Sequence, residues 1–310
     1  MKKKLVFIGI ILLSIFIMMP LIRESLVRKT LNNKTRAQLN GQFIELSDGI
    51  THYEIKGKEN EKLVVLIHGN ALPQFSWDNT IDDLVGAGYQ VLRYDVFGHG
   101  FSDRPKLKKY NRDLYNRQLE ELLDKLSIET PIYLVGTSQG GSISTFFAAK
   151  HESQVKKLAL LSPFFDSYVA SDKLEKLKKP IIGEYIIYKT DDKHFTNPLI
   201  HFTTKKKQDK LVNQLKEQIS FRGKKRAILA NLRGNGLADG TQYYSELAKQ
   251  KTPIMLTWGD KDVANTKETM ERLQKLIPRI QFHEIGNAGH LAHYEFPEKI
   301  NPLLINFFND

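Results

Sequence analysis

The pentapeptide Gly136-Thr137-Ser138-Gln139-Gly140 places a serine between two glycines at the end of the apolar run 132–136. A chain that turns sharply from a strand into a helix at this point would present the Ser138 hydroxyl as a nucleophile, and the flanking positions must then be small. The helix that starts there would aim its first N–H groups at an oxyanion formed on the substrate. Such a serine needs a base. His290, after Gly289 in NAGHLAHYEFPE, is the candidate, and WGDKDVANT offers Asp260 and Asp262 as the acid that orients it. Asp262 is preferred, with Asp260 as a neighbouring loop residue. His290 would take the Ser138 proton and return it to the leaving group, and Asp262 would hold the imidazole tautomer. The Asn70 N–H, after the His68-Gly69 pair, is a candidate second oxyanion donor beside that of Gln139. His68 and Asp95 read as structural, Asp95 because turn chemistry accounts for its loop YDVFGHGFSD. His293 follows His290 by three, but the segment shows too few ligands for a metal.

These residues need a scaffold that brings strand ends together. QFIELSDGITHYEIKG reads as a hairpin around Ser47-Asp48-Gly49. Apolar, β-branched-rich runs follow at 63–68, 91–95, 132–136, 158–162, 254–258 and 280–285. The earlier ones are too continuous for half-exposed strands, which suits a parallel sheet covered on both faces. DLYNRQLEELLDKL sets Leu114, Leu119, Leu122, Leu123 and Leu126 on one helical stripe. The expected fold class is α/β, an eight-stranded, mostly parallel sheet with an inserted helical cap. The boundaries read as anchor 1–22, linker 23–41, core 42–162, cap 163–251 and core 252–310.

The chain has 310 residues, 41% hydrophobic and 26% charged, with a net charge of +11 and no cysteine. Absence of cysteine excludes disulfides, thiolate metal sites and a thiol nucleophile. Residues 1–36 carry net +7 of the charge, around an uncharged segment at 5–22. That placement argues for a single membrane helix and against nucleic-acid binding. The segment would span about 27 Å, and no A-x-A-like cleavage site follows it. A single-pass protein with its catalytic domain outside the cytoplasm is the expectation.

HGN, DVFGHGFSDRP, LVGTSQGGSIS, WGDKD and NAGHLAHYEFPE occur in an order and spacing that resemble the α/β-hydrolase superfamily, over residues 42–310. The similarity is to its branch with an HG oxyanion loop and helical cap. The superfamily's G-x-x-D pattern places the triad acid at Asp262. A proline often found three or four residues later is absent here. The resemblance implies a cofactor-independent hydrolase with a Ser138–Asp262–His290 triad. A serine, unlike an aspartate, does not readily displace at sp³ carbon, which favours acyl transfer over dehalogenation or epoxide opening. The substrate expectation is a carboxylic ester, lipid-derived given the anchor, as in monoacylglycerol-lipase-like members. The alternatives are a C–C bond or amide hydrolase, or a non-catalytic ligand sensor. No arginine pair or cap lysine stands out as a carboxylate clamp, which weighs against C–C hydrolysis.

Overall fold

The computed structural model describes residues 26–70, 72–128, 131–166, 172–195, 208–234 and 239–310, with Phe7, Met19, Ile22, Glu24 and Thr203. Eight strands form one sheet: β1 Gln42–Leu46, β2 Gly49–Lys56, β3 Lys62–Ile67, β4 Tyr89–Tyr94, β5 Ile132–Thr137, β6 Val155–Leu161, β7 Ile254–Gly259 and β8 Gln281–Ile285. Their order is β1-β2-β4-β3-β5-β6-β7-β8. β1 pairs antiparallel with β2 and β2 with β4; every later pairing is parallel. The hairpin and the six apolar runs thus account for all eight strands.

Alternation within each central strand explains why the runs look continuous. Leu63, Val65 and Ile67 of β3 point into one core cluster, while Val64 and Leu66 point into another. Leu134 and Tyr133 of β5 divide in the same way. Successive side chains leave opposite faces of a strand, so a sheet packed on both sides needs an apolar residue at nearly every position.

The first face is covered by α3 (Arg112–Lys125), α4 (Gln139–Lys150), α9 (Thr241–Lys249) and α10 (Lys267–Leu276). The second is covered by α2 (Ile81–Gly86) and α11 (Pro297–Asn309). In α3 the stripe Leu114, Leu119, Leu122 and Leu123 is buried as expected, and the Asn111 side chain caps its start by accepting from the Leu114 N–H at 3.0 Å.

Between β6 and β7 lie α5 (Asp172–Lys178), α6 (Ile182–Lys189), α7 (Gln208–Ile219), α8 (Lys224–Arg233) and then α9. Leu177, Ile187 and Leu229 give α5, α6 and α8 a small core of their own. α7 instead packs Leu211 and Leu215 on Leu72, Phe75, Leu291 and Tyr294, over the loops that follow β3 and β8. α9 packs on α4, and its Tyr244 and Leu247 belong to the sheet's core cluster. The stretch 163–251 therefore combines cap helices with one crossover helix of the core.

The expected membrane helix at 5–22 lies outside the described residues apart from Phe7, Met19 and Ile22. Among the described residues no helix is long and apolar enough to cross a membrane. The stretch read as a linker, 23–41, is pinned at several of its described residues. Arg28 donates to both Asp192 carboxylate oxygens at 2.6 Å. The Lys29 N–H donates to the Ser220 carbonyl and the Arg222 N–H to the Lys29 carbonyl, each at 2.9 Å. The short helix α1 (Asn33–Arg36) then brings Arg36 within 2.5 Å of Asp103. These attachments are polar and backbone-mediated, so apolar periodicity does not reveal them.

Candidate active site

Ser138 opens α4 directly after β5 with φ 53° and ψ −120°. A non-glycine residue in this region is strained by about 1–3 kcal/mol and persists only where its surroundings hold it. Here the Ser138 N–H donates to the Leu161 carbonyl at 3.1 Å, and its own carbonyl accepts from the Phe164 N–H at 2.9 Å. The flanking glycines permit the turn. A Cβ on Gly140 would strike the Ile67 carbonyl, and one on Gly136 would strike the Gly140 carbonyl and the Ser144 hydroxyl. Gly69 lies so close that an added Cβ would sit 2.8 Å from Ser138 Cβ, so the loop after β3 runs against the serine.

The acid and base come from the next strand ends. His290 Nδ1 donates to Asp262 Oδ2 at 2.9 Å. The other oxygen of Asp262 accepts from the Ala264 and Asn265 N–H groups at 2.8 and 3.0 Å. With Nδ1 occupied as donor, His290 Nε2 is the nitrogen left to accept a proton. Asn265 ties this loop to the serine's surroundings: its Nδ2 donates to the carbonyls of Ser162 and Pro163 at 2.8 and 3.2 Å, beside the Phe164 that holds Ser138. Asp260 turns elsewhere, with Lys261 3.6 Å away. The two acids are two residues apart, and only Asp262 meets the histidine.

His293 is buried against the Trp77 ring, centroids 4.3 Å apart, where burial pushes its imidazole down to about 3. It is a neutral packing group at neutral pH. His68 accepts from the Val96 N–H at 2.9 Å through Nε2, which leaves Nδ1 to donate to the Gly69 carbonyl at 2.7 Å. Asp95 accepts from the N–H groups of Gln74 and Phe101 and from His52 Nδ1. Despite its burial these donors hold its carboxyl below the usual range. Both residues brace loops, as their sequence contexts suggest. Among the described residues no cluster of three or more His, Cys, Asp or Glu is arranged to hold a metal ion.

With this geometry in view, residues 62–297 match the family described as alpha/beta hydrolase fold. The chain belongs to that family. It is 26% identical to a 2-hydroxy-6-oxononadienedioate/2-hydroxy-6-oxononatrienedioate hydrolase of Cupriavidus pinatubonensis, over 87% of this chain and 95% of that one. A meta-cleavage product hydrolase from Pseudomonas fluorescens shares the fold at a TM-score of 0.71 and 23% identity, covering 87% of this chain and 97% of its own. An esterase from Exiguobacterium antarcticum matches at a TM-score of 0.71 and 22% identity, covering 87% and 100%.

This α/β-hydrolase carries one buried residue near the serine that the sequence did not single out. Asn231, on cap helix α8, is 2% exposed. Its Oδ1 accepts from Gln139 Nε2 at 2.9 Å and from the Tyr115 hydroxyl at 3.0 Å. Its Nδ2 donates to Gln139 Oε1 at 3.1 Å and Asn70 Oδ1 at 3.2 Å. His99 Nε2 meets the same Asn70 oxygen at 3.0 Å. One amide thus joins the cap to the two residues whose N–H groups are the candidate oxyanion donors. Inside ANLR it looks like any helical asparagine, and no local signal marks it. Asn231→Leu is expected to cost about 1–3 kcal/mol of stability by stranding Gln139, Asn70 and Tyr115. It should also lower kcat by about tenfold or more, as oxyanion donors lose their alignment. Thermal unfolding and steady-state kinetics check the two effects; unchanged kcat in the folded variant would show that the cap amide does not align them.

Proposed function

We propose that this protein is a cofactor-independent serine hydrolase that acts through an acyl-enzyme on Ser138, and that the bond it breaks is a carbon–carbon bond next to a ketone. The observation that carries the first part is the Asp262–His290 pair at 2.9 Å, tied through Asn265 to the loop that holds a strained Ser138. In this reading Ser138 Oγ adds to the carbonyl carbon as His290 Nε2 takes its proton, and the N–H groups of Asn70 and Gln139 receive the oxyanion. With the dienol first tautomerised to its diketone, a proton moving from the enol oxygen to the carbon beside the scissile ketone, the C–C bond breaks and its electron pair passes into the conjugated carbonyl of the leaving fragment as an enolate. His290 returns the proton, and water releases the acyl group as a carboxylic acid.

The choice of bond rests on likeness. The Cupriavidus relative is named for hydrolysis of a hydroxy-oxo-dienedioate, and it aligns along nearly its whole length. Ester hydrolysis is the second reading, favoured by the esterase and by an enol-lactonase from Burkholderia xenovorans with a TM-score of 0.72 and 20% identity. Both reactions share the acyl-enzyme, so an activated ester reports on either. The experiment compares the full chain on p-nitrophenyl esters and on a 2-hydroxy-6-oxo-dienoate, followed by loss of its conjugated absorption. Ser138-dependent loss of that absorption supports C–C hydrolysis. Turnover of esters alone moves the assignment to an esterase, and no turnover of either by the folded protein overturns it.

A further inference from the structure

Most of the large apolar side chains exposed among the described residues belong to the start of the chain or to the start of α6. In the first group Leu26 and Val27 are 79% and 67% exposed; in the second Ile181 and Ile182 are 69% and 49% exposed. The fold brings the two stretches together. Arg28 is bidentate on Asp192, three residues beyond α6, and Glu24 lies 3.9 Å from Lys225, which also pairs with Asp192. Val27 shares a hollow of about 330 Å³ with Tyr188, Lys189 and Lys225.

The sequence of α6 turns an apolar side outward. Gly183 and Ile187 are its buried residues, and Ile187 belongs to the cap's small core. At about 100° per residue, Ile182, Tyr185 and Lys189 fall on another side of the helix. Lys189 Nζ lies 5.5 Å from the centre of the Tyr185 ring and 3.4 Å from its hydroxyl. An isoleucine, a tyrosine and a lysine in line are the residue types that meet acyl chains, interface and headgroups of a bilayer in turn. Ile181 adds a second sign. Its φ of 68° is strained for a β-branched residue, yet the side chain held this way points into solvent. Charge follows the same plan. Glu184 is bound by Arg233, and Asp192 by Arg28 and Lys225, while exposed Lys179, Lys189 and Lys193 have no carboxylate within ion-pairing distance among the described residues.

The chain itself indicates what covers this face. The uncharged segment 5–22 ends six residues before Arg28. Six residues reach about 9 Å as helix and about 20 Å fully extended. A bilayer that takes up the segment is therefore brought to the end of α6. We infer that the start of the chain and α6 form one lipid-docking face, on which Leu26, Val27, Ile181 and Ile182 enter the surface of an anionic bilayer while Lys179, Lys189 and Lys193 meet its headgroups. The cap then faces the membrane and the starts of the parallel strands face away from it. This face does not depend on Ser138 being a nucleophile.

The protein has no cysteine, so single cysteines can be introduced into the full chain and labelled with an environment-sensitive fluorophore. The positions are Ile22→Cys, Val27→Cys and Ile182→Cys, with Glu61→Cys and Ser153→Cys as exposed controls at the starts of β3 and β6. Thermal unfolding shows that each variant is folded. Vesicles of phosphatidylcholine with phosphatidylglycerol are prepared with and without brominated acyl chains, which quench a label only inside the bilayer. Labels at positions 22, 27 and 182 should lose fluorescence to the brominated chains, and the two controls should not. In phosphatidylcholine alone the loss at Ile22→Cys should persist and that at Ile182→Cys should shrink. Quenching at Ile22→Cys without Ile182→Cys in the anionic vesicles overturns the inference, because the segment is then inserted and the cap stands off. Equal quenching at all five positions overturns it as well, since the protein then has no fixed orientation. No quenching anywhere overturns both the docking face and the lipid reading of 5–22. A loss at Ile182→Cys that fades as the protein-to-lipid ratio rises assigns the face to a second copy of this chain, which also overturns it.

Discussion

Ser138→Ala is expected to lower kcat on a p-nitrophenyl ester by about 10⁴–10⁶-fold, because the nucleophile and base act as a unit and the residual rate comes from binding and the oxyanion donors alone. Stability should barely change. Alanine keeps the Cβ, so the strain at φ 53° is the same, and the backbone bonds to Leu161 and Phe164 do not involve the hydroxyl. The measurement pairs steady-state kinetics with thermal unfolding. Near-full activity in the variant would sink the nucleophile assignment and, with it, the acyl-enzyme. A large loss accompanied by unfolding would point to a structural role instead, which the contacts around Ser138 argue against.

The second large effect separates two carboxylates. Asp262→Asn should reduce kcat by about 10⁴-fold. The side-chain oxygen of an asparagine can still accept from the Ala264 and Asn265 N–H groups, which turns its NH₂ towards His290. His290 must then present a lone pair at Nδ1 and carry its proton on Nε2, the tautomer that cannot accept from Ser138. Asp260→Asn, by contrast, should stay within a few fold of wild type, since Asp260 does not touch His290. Measured side by side on one ester, comparable losses in both variants would mean that the 2.9 Å contact is not what orients the base.

The motifs and strands were legible because the constraints behind them are local. A serine at a strand-to-helix turn needs small residues two positions away on either side, and the backbone collisions at Gly136 and Gly140 show why. A central parallel strand needs apolar side chains on both faces, which writes a continuous run into 63–67 or 132–136. The helix Arg112–Lys125 was readable from its leucine stripe and its Asn111 cap. None of these needs a distant residue to be known.

Choices between near neighbours, and pairings over long sequence distances, were not legible in the residues themselves. Asp260 and Asp262 have the same chemistry in the same loop, and their roles depend on which one β8's loop brings His290 against. The preference for Asp262 preceded the family pattern, which agreed with it, and the fold supplies its reason. No arginine pair or cap lysine stands out in the sequence as a carboxylate clamp, which weighed against C–C hydrolysis. Docking of α8 on the loop after β4 sets Lys224 Nζ 3.3 Å from the Gly98 carbonyl and turns its neighbours Lys225 and Arg226 onto carbonyls. Asn231 meets Gln139 across 92 positions and Asn70 across 161. By itself, then, the sequence determined the layered sheet, the strained serine and the presence of a base and an acid, because periodicity and turn sterics act over a few residues. Only the tertiary structure decided which acid meets the base and which amide joins the cap to the oxyanion loops, because hydrogen bonds and ion pairs depend on distances that folding alone sets.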